Sequence, residues 1–289
     1  MVWLIGNKGM LGTELSELLI ARSIEFIGTD REISILDPRA LVEFASGKNI
    51  TCIINCAAYT AVDKAEDEEE LARELNAKGP YNIACLAKQL GARFIHISTD
   101  YVFAGTGSQA YTEDMPVAPV GAYGRTKAEG EQLIQSECPD AIIVRTAWLY
   151  GKHGPNFVET MLRLMKERRR IGVVADQYGS PTWAFDLAAM LANLVVMDTL
   201  PCGIYHYSNE GQTTWHGFAK EINRVGTEAG ILSHRCEIEA LTSDQYPTKA
   251  QRPAWSVLSK HKIKSIGIRV PDWQESLKNY IYNLYRKGL

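Results

Sequence analysis

The chain opens with a four-residue apolar run, Val2-Trp3-Leu4-Ile5, that leads directly into Gly6-Asn7-Lys8-Gly9-Met10-Leu11-Gly12. Apolar residues then recur at helical spacing, at Leu11, Leu15, Leu18 and Leu19. A strand, a turn with glycines spaced G-x-x-G-x-x-G and a helix, in that order, restrict the fold more than any other feature. The first glycine permits the tight turn, the second lets the backbone approach a pyrophosphate, and the third lets helix and strand pack closely. The helix N-terminus adds unpaired N–H groups and the positive end of a dipole. The expectation is a dinucleotide site on Gly6, Lys8, Gly9, Met10, Leu11 and Gly12. Glycine turns are common, so the weight of this reading comes from the elements downstream of the turn.

Downstream, strand and helix alternate. Glu25–Gly28 reads as a second strand. Pro38–Ala45 reads as a helix with Asp37 as N-cap and proline at its first position. Ile50–Cys56 is a buried strand, Glu66–Leu90 a long helical region, and Arg93–Ser98 a further strand. Tyr123–Ser136 is helical and Ala141–Arg145 extended. This pattern predicts an α/β fold: a Rossmann-type, doubly wound parallel sheet whose ligands lie beyond the carboxyl ends of the strands. Residues 1–150 form the expected dinucleotide-binding domain.

From about 151 to 289 the pattern is less regular, predicting a smaller C-terminal α/β lobe with crossovers to the first. Its expected elements are a strand at Ile171–Ala175, a helix at Trp183–Val196, a strand at Gly203–Tyr207 and a helix at Thr214–Gly226. A polar loop at Thr242–Pro253 and a terminal helix at Pro271–Lys287 complete it.

The second and third strand ends extend the cofactor reading. Asp30 lies 18 residues after Gly12, the position of an acid that accepts from the adenosine ribose hydroxyls and favours NADH. Arg31 beside it suits a 2′-phosphate and favours NADPH, so both cofactors stay open. Ala57, Ala58 and Tyr59 come after the third strand, where small residues let a dinucleotide lie against the backbone. The net charge of −3 and pI near 6.1 provide no basic field for nucleic acid or an anionic membrane. No apolar stretch approaches the roughly 18 residues of a transmembrane helix. The six cysteines are spread without a CxxC pair, and no basic, apolar leader opens the chain. A cytoplasmic location is expected.

The chemistry is expected after the fourth strand. Ser98-Thr99-Asp100-Tyr101-Val102-Phe103 ends it, and Tyr123-Gly124-Arg125-Thr126-Lys127 opens the next helix. Tyr123 and Lys127, four apart, share a helix face. Reducing a ketone needs a hydride donor and a proton donor for the developing alkoxide. A tyrosine with a pKa of about 10 fits this better beside an ammonium, which favours phenolate. The expectation is that Tyr123 donates the proton, Lys127 lowers its pKa and holds the nicotinamide ribose, and Thr99 donates to the carbonyl. A tyrosine four residues before a lysine means little alone. Its position after a glycine loop and a strand-end Ser-Thr-Asp-Tyr makes it specific.

These segments resemble those of the extended short-chain dehydrogenases, and within them the dTDP-4-dehydrorhamnose reductase family. The likeness is carried by 57–66 (Ala-Ala-Tyr-Thr-Ala-Val-Asp-Lys-Ala-Glu), 98–103, 123–127, 145–151, Asn156-Phe157, 176–182 and Arg252-Pro253. It implies NAD(P)H-dependent reduction of the C4 ketone of dTDP-4-dehydro-L-rhamnose to dTDP-L-rhamnose, for a bacterial surface polysaccharide. By the family pattern Thr99, Tyr123 and Lys127 match the catalytic positions. Thr60, Val62, Tyr101 and Trp148 match positions lining the sugar pocket, and Asp100 and Arg252 join them as candidate substrate contacts. Trp148 at a strand end suits stacking on a sugar or base, and Arg252 suits a diphosphate. The partner is then a nucleotide sugar, with a homodimer also admitted.

Some family members are described as binding Mg2+ through glutamates at a dimer interface. Glu14 matches one such position, but Phe185 stands at another, and the C-terminal one falls on Gln274 or Glu275. These departures argue against a bridging metal, and the histidines show no ligand spacing. Two rival functions stay open. One is an epimerase or dehydratase on the same scaffold, although no glutamate comes after Asp100 to complete a dehydratase pair. The other is a non-catalytic dinucleotide-binding subunit like that of methionine adenosyltransferase. Glu66–Glu70 and Arg168–Arg170 read as solvated charge runs, and His96 as buried structure.

Overall fold

The structure, a computed structural model, describes residues 1–199 and 201–285. The first half runs β1 (Val2–Ile5), α1 (Met10–Ala21), β2 (Phe26–Thr29), α2 (Pro38–Ala45), β3 (Cys52–Asn55), α3 (Val62–Ala65), α4 (Glu69–Arg73), α5 (Gly79–Leu90), β4 (Arg93–Thr99), α6 (Ala122–Glu137) and β5 (Ile142–Thr146). The second half runs β6 (Leu149–Tyr150), α7 (Phe157–Glu167), β7 (Arg170–Val174), β8 (Tyr178–Gly179), β9 (Thr182–Trp183), α8 (Ala184–Val196), β10 (Gly203–His206), β11 (Thr213–Thr214), α9 (Trp215–Glu228), β12 (Glu237–Leu241), α10 (His261–Ser265) and α11 (Trp273–Tyr285).

The main sheet has the order β2-β1-β3-β4-β5-β10, with every neighbouring pair parallel. Alternation along β1 sends Leu4 to one face, with Leu15, Leu187 and Leu191 beneath α1 and α8. Trp3 and Ile5 go to the other face, with Leu41, Ile83, Phe94 and Ile134 beneath α2, α5 and α6. Both faces are therefore dry, which is why the strands read as continuous apolar runs. The strand order reverses between β1 and β3, so the crevice beyond their carboxyl ends is the topological switch point.

Residues after 150 serve both lobes: α8 packs on α1, and β10 forms an edge of the main sheet. The remainder builds a second core of Val158, Leu162, Met165, Phe218, Ile222 and Leu277, drawn from α7, α9 and α11. Its strand β12 pairs in parallel with β7 and is absent from the pattern reading. Three of its five residues are exposed, and its outer glutamates 237 and 239 pair with Arg170, so its apolar signal is weak.

The helical region expected at 66–90 divides into α4, a π-helical turn at Glu74–Lys78 and α5. The terminal helix begins at Trp273 rather than Pro271, and residues 286 and 287 of its expected span lie outside the described residues. Thr242–Pro253 is a loop apart from a 3-10 turn at Ser243–Gln245. Among the described residues no helix is long and apolar enough to cross a membrane.

Candidate active site

The glycine loop lies in the switch-point crevice. A Cβ on Gly6 would stand 2.6 Å from the Ala57 nitrogen, and Gly6 has φ +79°, a left-handed value natural only to glycine. A Cβ on Gly12 would stand 2.1 Å from Gly6 O, so this glycine lets α1 approach β1. Gly9 is the N-cap of α1 and no side chain caps it, leaving the first N–H groups of a 12-residue helix facing the crevice. Asn7 Oδ1 is buried with no hydrogen-bond partner among the described residues. An uncapped helix end, a glycine surface and the small residues Ala57 and Ala58 fit the pyrophosphate of a dinucleotide. At the end of β2, Asp30 is half-buried while Lys8 and Arg31 are exposed, with Lys8 paired to Glu32 at 3.2 Å.

Thr99 is buried at the carboxyl end of β4, and Tyr123 on α6 lies beside it. Thr99 Oγ1 donates to Asp100 Oδ1 at 2.9 Å and accepts from Tyr101 N–H at 3.2 Å. Thr99 also lies close enough to the Tyr123 phenol to favour its ionised form. The rings of Tyr101 and Tyr123 meet edge to face at 5.5 Å. Burial nonetheless raises the Tyr123 phenol above its usual range, and nearby Asp100 and Tyr101 add to this.

The expectation that Lys127 lowers the Tyr123 pKa is corrected here. The Lys127 ammonium is fully buried and turned to the sheet, where it donates to Ile97 O at 2.6 Å and meets His96 Nε2 at 3.3 Å. Burial lowers its pKa to about 8, offset in part by Glu131. Helical spacing places both side chains on one face but does not direct their tips.

Of the expected substrate contacts, Thr60 is exposed and Val62 half-buried in the segment after β3. The Trp148 ring stacks on Trp215 at 3.6 Å, and its backbone holds φ +48°. A non-glycine residue in that region is strained, and such strain collects at ligand sites. A Cβ on Gly179 would stand 2.5 Å from the Trp148 ring, so that glycine admits the indole. Arg252 donates to Tyr101 Oη at 3.0 Å and to Asp63 Oδ2 at 2.7 Å. Its charge is thus met by a carboxylate, and it ties the 242–253 loop to the segment after β3.

Further supporting groups escaped the sequence reading. Asn76, fully buried in the π-helical turn, accepts from Tyr59 N–H at 2.8 Å and donates to Tyr59 O at 3.1 Å and Thr126 Oγ1 at 3.2 Å. It clamps the segment after β3 to α6. Glu66 accepts from Ala122 N–H at 2.8 Å and caps α6, whose own N-cap Gly121 has no side chain to do so. Glu69 pairs with Arg125 at 2.8 Å, so part of this acidic run docks α6 rather than only facing solvent. Asn55 accepts from Ala57 N–H at 3.0 Å and contacts His96 Nδ1 at 3.1 Å, linking the third strand end to the Lys127 environment.

Magnesium is not matched by the residues present. Glu14 is buried, and its carboxyl is raised by that burial. Lys152 already supplies a cation, 3.8 Å from Glu14 and bonded to Glu17. Phe185 offers a hydrocarbon ring, and no group of three or more ligand side chains converges among the described residues.

The sequence pattern of the RmlD substrate binding domain family matches residues 1–286. A spore coat polysaccharide biosynthesis protein, SpsK, of Bacillus subtilis is 41% identical, over 97% of this chain and 96% of its own. A dTDP-4-dehydrorhamnose reductase of Aggregatibacter actinomycetemcomitans is 40% identical, over 95% of this chain and 96% of its own. A solved dTDP-4-dehydrorhamnose reductase from Bacillus anthracis, in complex with NADP, superposes with a TM-score of 0.91 at 37% identity, covering 98% of each chain. With a match along nearly its whole length and this level of identity, the chain belongs to the RmlD substrate binding domain family.

Proposed function

We propose that this protein is a cytoplasmic NADPH- or NADH-dependent reductase that converts the C4 ketone of dTDP-4-dehydro-L-rhamnose to the alcohol, giving dTDP-L-rhamnose for a surface polysaccharide. The observation that carries this reading is the convergence of Thr99 and Tyr123 at the carboxyl end of β4, with the glycine cradle at the switch point, in a chain so similar to named reductases of this substrate. Bound NAD(P)H supplies the hydride.

Tyr123 holds the proton that the developing alkoxide receives, and its raised pKa keeps it protonated at neutral pH before the reaction. Thr99 would donate to the carbonyl oxygen as negative charge develops on it. The family pattern gives the nicotinamide ribose to Lys127, whose ammonium would have to turn from Ile97 O and His96 to reach it. Trp148, Tyr101, Thr60 and Val62 line the sugar, and the Tyr101–Arg252–Asp63 bridge fixes the loop that covers it.

The test follows NADPH and NADH absorbance with dTDP-4-dehydro-L-rhamnose. Wild type should oxidise one or both, and Tyr123→Phe should lose about 10²-fold or more in kcat. A folded protein that binds the cofactor and reduces no keto-sugar nucleotide would favour the non-catalytic reading instead.

A further inference from the structure

We infer that Asp100 is a positioning residue that sets the direction in which the Thr99 hydroxyl donates, and so whether Thr99 can serve the substrate carbonyl. This rests on the reductase reading above. A threonine hydroxyl has one proton, and Thr99 gives it to Asp100 Oδ1 at 2.9 Å. Its oxygen meanwhile accepts from Tyr101 N–H. In this arrangement a ketone oxygen, which only accepts, has nothing to receive from Thr99. A proton on Asp100 reverses the bond: the carboxyl donates to Thr99 Oγ1, and the threonine proton is released towards the carbonyl.

Burial raises the share of that protonated form. Asp100 is 2% exposed, and its Oδ2 is buried with no hydrogen-bond partner among the described residues. The Ser256 hydroxyl, which also reaches Tyr178 O at 3.2 Å, and the backbone N–H groups of Asp100 and Tyr101 lie close enough to favour the carboxylate, and burial outweighs them. Leaving a charged oxygen both buried and unbonded is costly, more so than leaving a neutral one. The groups facing Asp100 are Thr99 and Tyr101 on its own segment, Tyr123 on α6, and Ser256. Arg252 stands beyond Tyr101 with its charge met by Asp63, and among the described residues no cation pairs directly with this carboxylate. Burial pushes the Asp100 carboxyl up to about 6.

Two measurements test the inference, and the first needs no substrate. Infrared titration of wild type against D100N isolates the Asp100 carboxyl. It should lose its proton near pH 6, and Thr99→Val, which removes the donor that favours the carboxylate, should move that midpoint upward. A midpoint unmoved by Thr99→Val overturns the inference, because the two groups would then not share a proton.

The second measurement is kinetic. Asp100→Ala should lower kcat by about 10²-fold, the scale of a lost oxyanion donor. Asp100→Asn, whose amide always donates to Thr99, should recover most of that loss. Wild-type kcat should fall as pH rises through the Asp100 ionisation, and the Asn variant should lack that limb. Equal losses in the Ala and Asn variants also overturn the inference. Failure of wild type to reduce any keto-sugar sinks the functional reading alone, since the infrared result still decides the Asp100–Thr99 coupling.

Discussion

Glu131→Ala should destabilise the protein more than any exposed ion-pair substitution, for a reason visible in one buried cluster. Glu131 on α6 and Arg145 on β5 are each about 2% exposed. Arg145 donates through Nε at 3.0 Å and Nη2 at 2.6 Å, and Ser98 donates to the same carboxylate from β4. The guanidinium also lies 5.0 Å from the Phe103 ring centre. Removing the carboxylate strands a guanidinium that cannot deprotonate in a dry interior. Such a loss costs about 3–5 kcal/mol. A total stability of about 5–15 kcal/mol makes that a large fraction. At about 2–4 °C per kcal/mol for a chain somewhat shorter than this one, the melting temperature should drop by roughly 6–20 °C. Scanning calorimetry of wild type, Glu131→Ala, Arg145→Met and the double variant Glu131→Leu/Arg145→Met would measure it. The double variant should be more stable than either single one, since no charge is then left unpaired. A loss below about 1 kcal/mol in Glu131→Ala, or a double variant no better than its parents, would refute the reasoning.

Three further outcomes are expected at the site. Gly12→Ala should abolish NADPH binding, measured by quenching of protein fluorescence, because its Cβ would meet Gly6 O at 2.1 Å and push α1 off the cradle. Lys127→Met should show a pH-dependent stability difference. The folded-state pKa of about 8 lies below the unfolded value of 10.5, so the unfolded chain binds the extra proton between them. The buried lysine therefore destabilises wild type below pH 8, by up to a few kcal/mol, and that penalty fades as pH rises towards 10.5. In urea unfolding the stability of Lys127→Met relative to wild type should be highest near pH 7 and fall by pH 10; a constant difference would mean Lys127 is not held this way. Dialysis against EDTA should change neither the rate nor the melting temperature, because Lys152 already satisfies Glu14 and Glu17. A loss restored by Mg2+ would show that reading to be wrong.

Much of this protein was legible along the chain because the signals are local. An apolar run, three glycines at fixed spacing and a helical repeat describe β1, the turn and α1, since turn geometry and side-chain periodicity span only a few residues. Order and spacing likewise singled out Thr99, Tyr123 and Lys127 as candidates, and the fold brings the first two together. The features hidden from the chain alone depend on groups far apart in sequence. Lys127 points at His96 and Ile97 rather than at Tyr123 because a buried ammonium seeks the nearest acceptors, and β4 supplies them. Asn76 holds Tyr59 and Thr126, across 17 and 50 residues, through a π-helical turn that leaves no mark in a helical pattern. Glu66 caps a helix that begins 56 residues later. Arg252, a candidate phosphate ligand by its residue type, has its charge met by Asp63, because tertiary folding decides which opposite charge lies nearest. Local sequence thus determined the elements and the residue types available for chemistry, while only packing decided where each proton and charge resides, since hydrogen-bond partners and burial are properties of the assembled interior.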